Sequence, residues 1–113
     1  MASSKAYLDF ILRQLSGLDD ITYQPMMGEY IIYYRGKIVG GIYDDRFLVK
    51  NVRSAVAAMP EASLELPYEG GKEMLLVEEV DNSAFLTELL GVMYDELPFP
   101  KKRKTKIGKG EQV

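Results

Sequence analysis

Three carboxylates near the middle of the chain are the side chains best suited to chemistry. Glu29 is the single charged residue between Tyr23 and Arg35, and Asp44 is followed directly by Asp45. Carboxylate oxygens bind divalent cations, and neighbouring carboxyl groups can share acid and base roles. Aspartates in a hairpin turn also serve local hydrogen bonding, because they tolerate a left-handed backbone. The sequence therefore leaves three alternatives for these carboxylates: a metal site, acid/base chemistry, or a structural role in the turn.

The composition narrows the choice of chemistry. The chain contains neither histidine nor cysteine. It therefore lacks the usual serine or cysteine triad, any zinc site built on sulfur and any disulfide framework. We predict a protein that is not an enzyme and that holds no metal and no cofactor.

The charge of the chain changes sign after Pro100. Residues 1–100 carry eight basic and sixteen acidic side chains, whereas residues 101–113 carry six basic and one acidic. Clustered cations can contact the phosphates of a nucleic acid. The alternative is a solvated, disordered terminus, because the segment is polar and has no apolar anchor. The candidate nucleic-acid-binding residues are Lys101, Lys102, Arg103, Lys104 and Lys106.

The distribution of apolar residues argues against membrane insertion. The first fifteen residues interrupt their apolar positions with Asp9, Arg13 and Gln14, unlike a signal peptide. No apolar run approaches the roughly 20 residues that span a bilayer. We expect a cytoplasmic protein with no membrane partner.

The elements that must position the carboxylates are mainly strands. β-branched and aromatic residues dominate four consecutive segments, which are separated by turn residues. A short apolar run later in the chain indicates a strand buried on both faces. The predicted strands are Ile21–Met27 at a sheet edge because of Pro25, Glu29–Tyr34, Lys37–Tyr43, Arg46–Lys50 and the run within Glu73–Glu78.

Helical spacing of apolar residues predicts three helices. The first runs from about Ser4 to Ser16, the second follows a cap at Asn51 and stops at Pro60, and the third follows Asp81 or Asn82. Residues 61–71 are expected to form a loop with a brief extended piece at 64–66. These elements predict an α+β fold, with an antiparallel β meander of about five strands flanked by about three helices. Residues 1–100 would form the domain and residues 101–113 a basic tail.

The turn between the first two strands and the later loop supply the partner-binding candidates. Methionine adapts to irregular partner surfaces, and loops often carry function. A plain strand-to-strand corner is the alternative reading. The candidates are Met26, Met27, Gly28, Glu29, Tyr30 and Tyr68. Because successive strand residues face opposite ways, at least one of Tyr33 and Tyr34 should reach a second surface.

The order and spacing of several of these residues resemble the TfoX N-terminal domain family, known from Sxy-type competence regulators. The similarity covers roughly residues 5–97 and is carried by Met26–Tyr30, Tyr34, Gly36, Gly41, Arg46–Lys50 and Pro67–Tyr68. It implies an antiparallel sheet flanked by helices and a noncatalytic regulatory module that acts with the transcription machinery. In the regulators a helical C-terminal domain follows, whereas a short basic tail follows here. We expect a protein partner, with nucleic acid bound through the tail as the alternative, and the oligomeric state remains open.

Overall fold

A computed structural model describes residues 3–99 of the chain. The predicted basic tail, with its nucleic-acid-binding candidates, lies outside these residues. The elements in chain order are α1 (Lys5–Gln14), β1 (Ile21–Met26), β2 (Glu29–Tyr34), β3 (Lys37–Ile42), β4 (Phe47–Val49), α2 (Arg53–Ala58), β5 (Leu64–Glu65), β6 (Met74–Leu76) and α3 (Ser83–Met93), followed by a 3-10 turn at Tyr94–Glu96.

The strands form one antiparallel sheet in the order β1-β2-β3-β4-β6-β5. The predicted α+β fold is confirmed, and β1 to β4 form the expected meander. The predicted number of strands was one too low. Leu64 and Glu65 pair with Leu75 and Met74, so the brief extended piece expected in the loop is the outer strand β5.

Two-residue turns join the first four strands. Both residues of each turn have positive φ: 53° and 87° at Met27 and Gly28, 51° and 84° at Arg35 and Gly36, and 55° at both Asp44 and Asp45. This backbone is typical of type I′ hairpins, which match the twist of the strands. Each of the three turns therefore closes a tight hairpin between two neighbouring strands.

All three helices pack on the same face of the sheet. Alternate residues of β2 and β4 point into this core, including Ile32, Phe47 and Val49. The largest helical contributions come from Leu8, Ile11, Leu86, Leu89, Leu90 and Met93. No helix of residues 3–99 packs on the opposite face, which we call the helix-free face and which carries a smaller cluster of Tyr43, Leu48 and Met74. Phe47 and Val49 thus face away from Leu48, as alternation along the strand predicts.

The helix ends show which caps are local. The Ser4 Oγ accepts the Tyr7 N–H at 3.1 Å, and the Asn82 Oδ1 accepts the Phe85 N–H at 3.1 Å. The predicted cap at Asn51 was wrong: α2 follows Val52, which offers no capping side chain. A carboxylate distant in sequence replaces it, because Glu96 Oε1 accepts the Ser54 N–H at 2.8 Å.

The Gly40–Gly41 pair permits close approach within the sheet. A Cβ on Gly40 would lie 2.0 Å from the Leu48 carbonyl oxygen, and a Cβ on Gly41 would lie 2.6 Å from that of Tyr30. The pairing of β2 with β3 also shifts register between Ile32 and Tyr33. From the sequence, a bulge, a ligand or a helix crossing the sheet could each explain the glycine pair. The structure shows the bulge, together with neighbouring strands that approach both glycines closely.

No helix in residues 3–99 combines the length and apolar character needed to cross a bilayer.

Candidate functional site

The carboxylates singled out by the sequence hold the N-terminal segment against two hairpin turns. The Ser3 hydroxyl donates to Glu29 Oε1 at 2.6 Å and accepts the Asp45 N–H at 3.0 Å. Glu29 Oε1 also accepts the Asp44 N–H at 3.1 Å, and Asp45 Oδ1 accepts the Ser4 N–H at 2.8 Å. We call this set, Ser3, Ser4, Glu29, Asp44 and Asp45, the N-terminal lock. The carboxylate oxygens of Glu29 and Asp45 thus accept hydrogen bonds between segments that are distant in the sequence.

The lock does not resemble a metal centre. Within residues 3–99, no group of three or more aspartate or glutamate side chains is arranged to hold a metal ion. Asp44 and Asp45 occupy the two left-handed positions of a type I′ turn, which is the structural role that the sequence left open for them.

The six predicted partner-binding residues do not share one surface. Met27 stands at the tip of the β1–β2 hairpin with 97% of its surface exposed, beside Gly28, whose positive φ completes the turn. Tyr30 lies on the helix side, where its ring meets Tyr23 edge-to-face at 5.8 Å. Glu29 belongs to the N-terminal lock. The structure brings the remaining two, Met26 and Tyr68, together in one groove.

This groove crosses the helix-free face of the sheet, and we call it the sheet groove. It encloses about 610 Å³ between the strands and the loop of residues 67–73. Its floor and sides are mainly apolar, and its edge is charged. The apolar lining includes Met26, Ile31, Ile38, Tyr43, Pro67 and Met74, and the charged edge consists of Lys50, Lys72 and Glu73.

Tyr43 forms a buried part of the groove wall. Its ring lies over Gly41, where an added Cβ would come within 2.7 Å of the ring, and under Tyr68, with ring centroids 6.1 Å apart. Only 6% of the Tyr43 surface is exposed. Burial, reinforced by the nearby Tyr68, Glu29 and Tyr33, raises the pKa of the Tyr43 phenol to about 12. The hydroxyl therefore stays protonated and is available as a donor at neutral pH.

Arg46 fixes the outer side of this region. Its guanidinium forms an ion pair with Glu65 and donates to the Leu66 carbonyl at 3.2 Å, while its Nε donates to the Tyr43 carbonyl at 3.0 Å. These contacts join the β3–β4 turn to β5 and to the start of the 67–73 loop. Arg46 thus positions both walls of the groove.

The far end of the sheet holds a cation–aromatic cluster. The Lys37 ammonium lies 4.0 Å from the Tyr94 ring centroid and 5.0 Å from that of Phe99, and it donates to the Tyr94 carbonyl at 3.1 Å. Lys37 is 9% exposed. A buried cation needs such partners, so the cluster ties the end of α3 to the β2–β3 hairpin.

Several groove residues, among them Ile31 and Ile38, were not predicted from the sequence, although the unbroken apolar character of β2 indicated a second apolar face. Tyr34 packs towards the helices, whereas Tyr33 lies on the other face and donates to Gln24 Oε1 at 2.9 Å, which confirms that the pair divides between two surfaces. Strand β2 is apolar at successive positions, and so Ile31 faces the groove while Ile32 faces the core. A strand that is apolar at successive positions places apolar side chains on both faces of the sheet, and the apolar surface on each face is then expected to be covered by other groups.

Comparison with known proteins finds a relative that matches nearly the whole chain. The chain is 30% identical over 107 residues, covering 94% of this chain and 93% of the other, to a protein of Spirochaeta aurantia described as "Uncharacterized 12.7 kDa protein in trpE 5'region". No protein-family model matches the chain. No solved structure matches it either.

Proposed function

Because the chain belongs to the family of the Spirochaeta aurantia 12.7 kDa protein, whose own function is uncharacterized, we propose a function from its surface chemistry. The protein is a noncatalytic, cytoplasmic interaction module that binds a segment of a partner protein in the sheet groove. The resemblance to the TfoX N-terminal domain supports a regulatory setting linked to transcription or competence.

One observation carries this proposal: within residues 3–99, helices cover one face of the sheet and leave the second, mainly apolar face uncovered. The groove on the open face is bounded by a loop, lined by Ile31, Ile38 and Tyr43, and edged by charge. Apolar surface of this kind, surrounded by polar groups, is typical of protein docking sites. Methionine at positions 26 and 74 provides adaptable contacts with a bound segment.

Site-specific photo-crosslinking in the native cell tests the proposal. A photoreactive phenylalanine at position 38 lies in the groove, and one at position 92 lies exposed on α3 as the matched control. We expect a discrete protein adduct from position 38 that is weakened by Ile31→Asp and is absent from position 92. Equal adducts from both positions, or adducts insensitive to Ile31→Asp in a folded variant, would contradict docking in the groove.

The charge asymmetry favours a second candidate function. Six cations between residues 101 and 109 follow a body with twice as many acidic as basic side chains. We propose nonspecific phosphate contacts through this segment, with a log–log salt slope of about −5 if all of its cations engage. Fluorescence anisotropy with DNA and RNA across a salt series tests it. Binding that is undetectable, or that is unchanged after deletion of residues 101–113, would exclude this role.

A further inference from the structure

The Tyr43 hydroxyl is a donor that has no hydrogen-bond partner of its own within residues 3–99. Tyr43 as a whole residue is 6% exposed, and it lines the sheet groove. Within residues 3–99, no group forms a hydrogen bond with this hydroxyl. A phenol that lines a groove and has no acceptor within residues 3–99 can donate its hydrogen bond to a ligand bound in that groove.

Two ammonium groups at the groove edge also lack a carboxylate partner. Lys50 and Lys72 line the groove, and neither forms an ion pair within residues 3–99. Four of the other six cations of the described region have partners: Arg46 with Glu65, Lys5 with Asp9, and Arg35 and Lys37 with aromatic rings, whereas Arg13 and Arg53 form no ion pair there either. Lys50 and Lys72 differ from Arg13 and Arg53 in that both line the same groove, on a body that carries eight basic and sixteen acidic groups.

We propose that the sheet groove recognises a carboxylate on an apolar segment of the partner protein, with the Tyr43 hydroxyl donating to it and Lys50 and Lys72 providing the complementary charge. This assignment rests on the proposed function and adds the chemistry of the bound segment. Apolar side chains beside that carboxylate would occupy the floor formed by Ile31 and Ile38.

A phosphate is a poorer fit than a carboxylate. A phosphate group carries nearly two charges at neutral pH and is usually held by arginine forks. The guanidinium of Arg46 is already bound to Glu65 and to the Leu66 carbonyl. Glu73 lies on the same groove edge and offsets one of the two lysines. The remaining charge matches a single carboxylate.

Selection from a random linear peptide display library tests the assignment on the full-length protein. The wild-type protein should select apolar peptides enriched in aspartate or glutamate. Lys50→Gln/Lys72→Gln should bind the selected peptides roughly three- to thirtyfold more weakly, as expected for the loss of two exposed charge contacts. The matched control is Lys5→Gln/Arg13→Gln, which removes two cations from α1, and its affinity should equal that of the wild type.

The outcomes separate the two proposals. Failure of the wild-type protein to select any peptide, or retention of all binders by Ile31→Asp, would contradict docking in the groove itself. Peptides that depend on Ile31 but show no acidic enrichment, or whose affinity is equal in both double variants, would overturn carboxylate recognition alone. Preference for a phosphoserine version over the glutamate version of a selected peptide would also overturn it.

Tyr43→Phe supplies an independent readout. It removes the hydroxyl and keeps the ring between Gly41 and Tyr68. We expect affinity for the selected peptides to fall about two- to tenfold, as for a lost hydrogen bond, while the thermal stability of the free protein is unchanged or higher. Reduced stability with unchanged affinity would assign the hydroxyl a structural role and overturn the proposal.

Discussion

At the scale of single residues, the groove depends on a glycine that makes room for an aromatic ring. Gly41 contacts both the neighbouring strand and the Tyr43 ring, and either contact excludes a Cβ. The sequence indicated that something must approach this strand closely, because a glycine pair weakens a strand otherwise. The sequence did not indicate which group approaches. That group includes the ring of Tyr43, which lies two residues further along the chain.

Gly41→Ala should therefore destabilise the fold and distort the groove. The added Cβ would lie 2.6 Å from the Tyr30 carbonyl oxygen, so backbone or ring must shift, and we expect a loss of about 1–3 kcal/mol in the free energy of unfolding. Gly91→Ala is the matched control, because its Cβ meets nothing within 4 Å on α3, and it should stabilise by about 0.5–1 kcal/mol. Urea denaturation measures both. Equal effects of the two substitutions would contradict the close packing at Gly41.

The ionisation of Tyr43 gives a second residue-scale prediction. Its pKa is raised from 10.0 to about 12, chiefly by burial. The folded state therefore holds this proton where the unfolded state releases it, and stability that is fully present below pH 10 should be lost as the pH rises towards 12. Burial also raises the pKa of Tyr7, so the test is the difference between the ultraviolet titration curves of wild type and Tyr43→Phe, which should be one late-ionising phenol. If the phenol that the substitution removes ionises near pH 10, the burial of Tyr43 is contradicted.

At the scale of elements, the sequence predicted what is local and missed what is distant. Ser4 and Asn82 cap their own helices, and each hairpin turn carries at least one glycine or aspartate, which tolerate positive φ, so short-range chemistry suffices to locate them. The start of α2 depends on Glu96, which is 42 residues beyond Ser54. Strand β5 has two residues and forms through pairing with β6, and no periodicity can reveal a strand so short.

Glu96→Gln tests the distant cap of α2. Hydrogen bonds from the Ser54 N–H and hydroxyl lower the pKa of Glu96 from 4.5, so its ionised form stabilises the fold above that pH, and the benefit is lost as the pH falls through the lowered pKa. We expect the variant to have a lower Tm than wild type at pH 7, and the difference to shrink in more acidic buffer. Asp95→Asn is the control, because Asp95 is exposed on the same turn. Equal Tm changes for both variants at pH 7 would contradict a capping role.

At the scale of the whole molecule, helices cover one face of the sheet, and no helix of residues 3–99 covers the other, which is the face that we propose for partner binding. The division into strands and helices was predictable, because hydrophobic period and turn residues agree along most of the chain. The groove was not predictable from the sequence. One of its walls is formed by β2 and β3 and the other by the loop of residues 67–73, and these segments are brought together by the placement of β6 between β4 and β5. Of the six residues predicted to bind a partner, Met26 and Tyr68 line that groove.

The closed face should carry most of the stability. Leu89 is 1% exposed in the core, whereas Val92, one helical turn away on α3, is 47% exposed. Leu89→Ala should cost about 2–5 kcal/mol, because it removes buried methyl groups and leaves a cavity. Val92→Ala should change stability by less than about 0.5 kcal/mol. Similar losses in chemical denaturation would contradict the placement of α3 on the sheet.

The most direct test of the docking face is a two-dimensional ¹⁵N–¹H NMR titration of the full chain with a peptide selected by the wild-type protein. We predict that the amide signals of β2, β3 and the loop of residues 67–73 shift in a saturable manner, while those of the exposed side of α2 and α3 do not. Saturable shifts confined to the two helices, with the sheet and loop signals unchanged, would contradict the account.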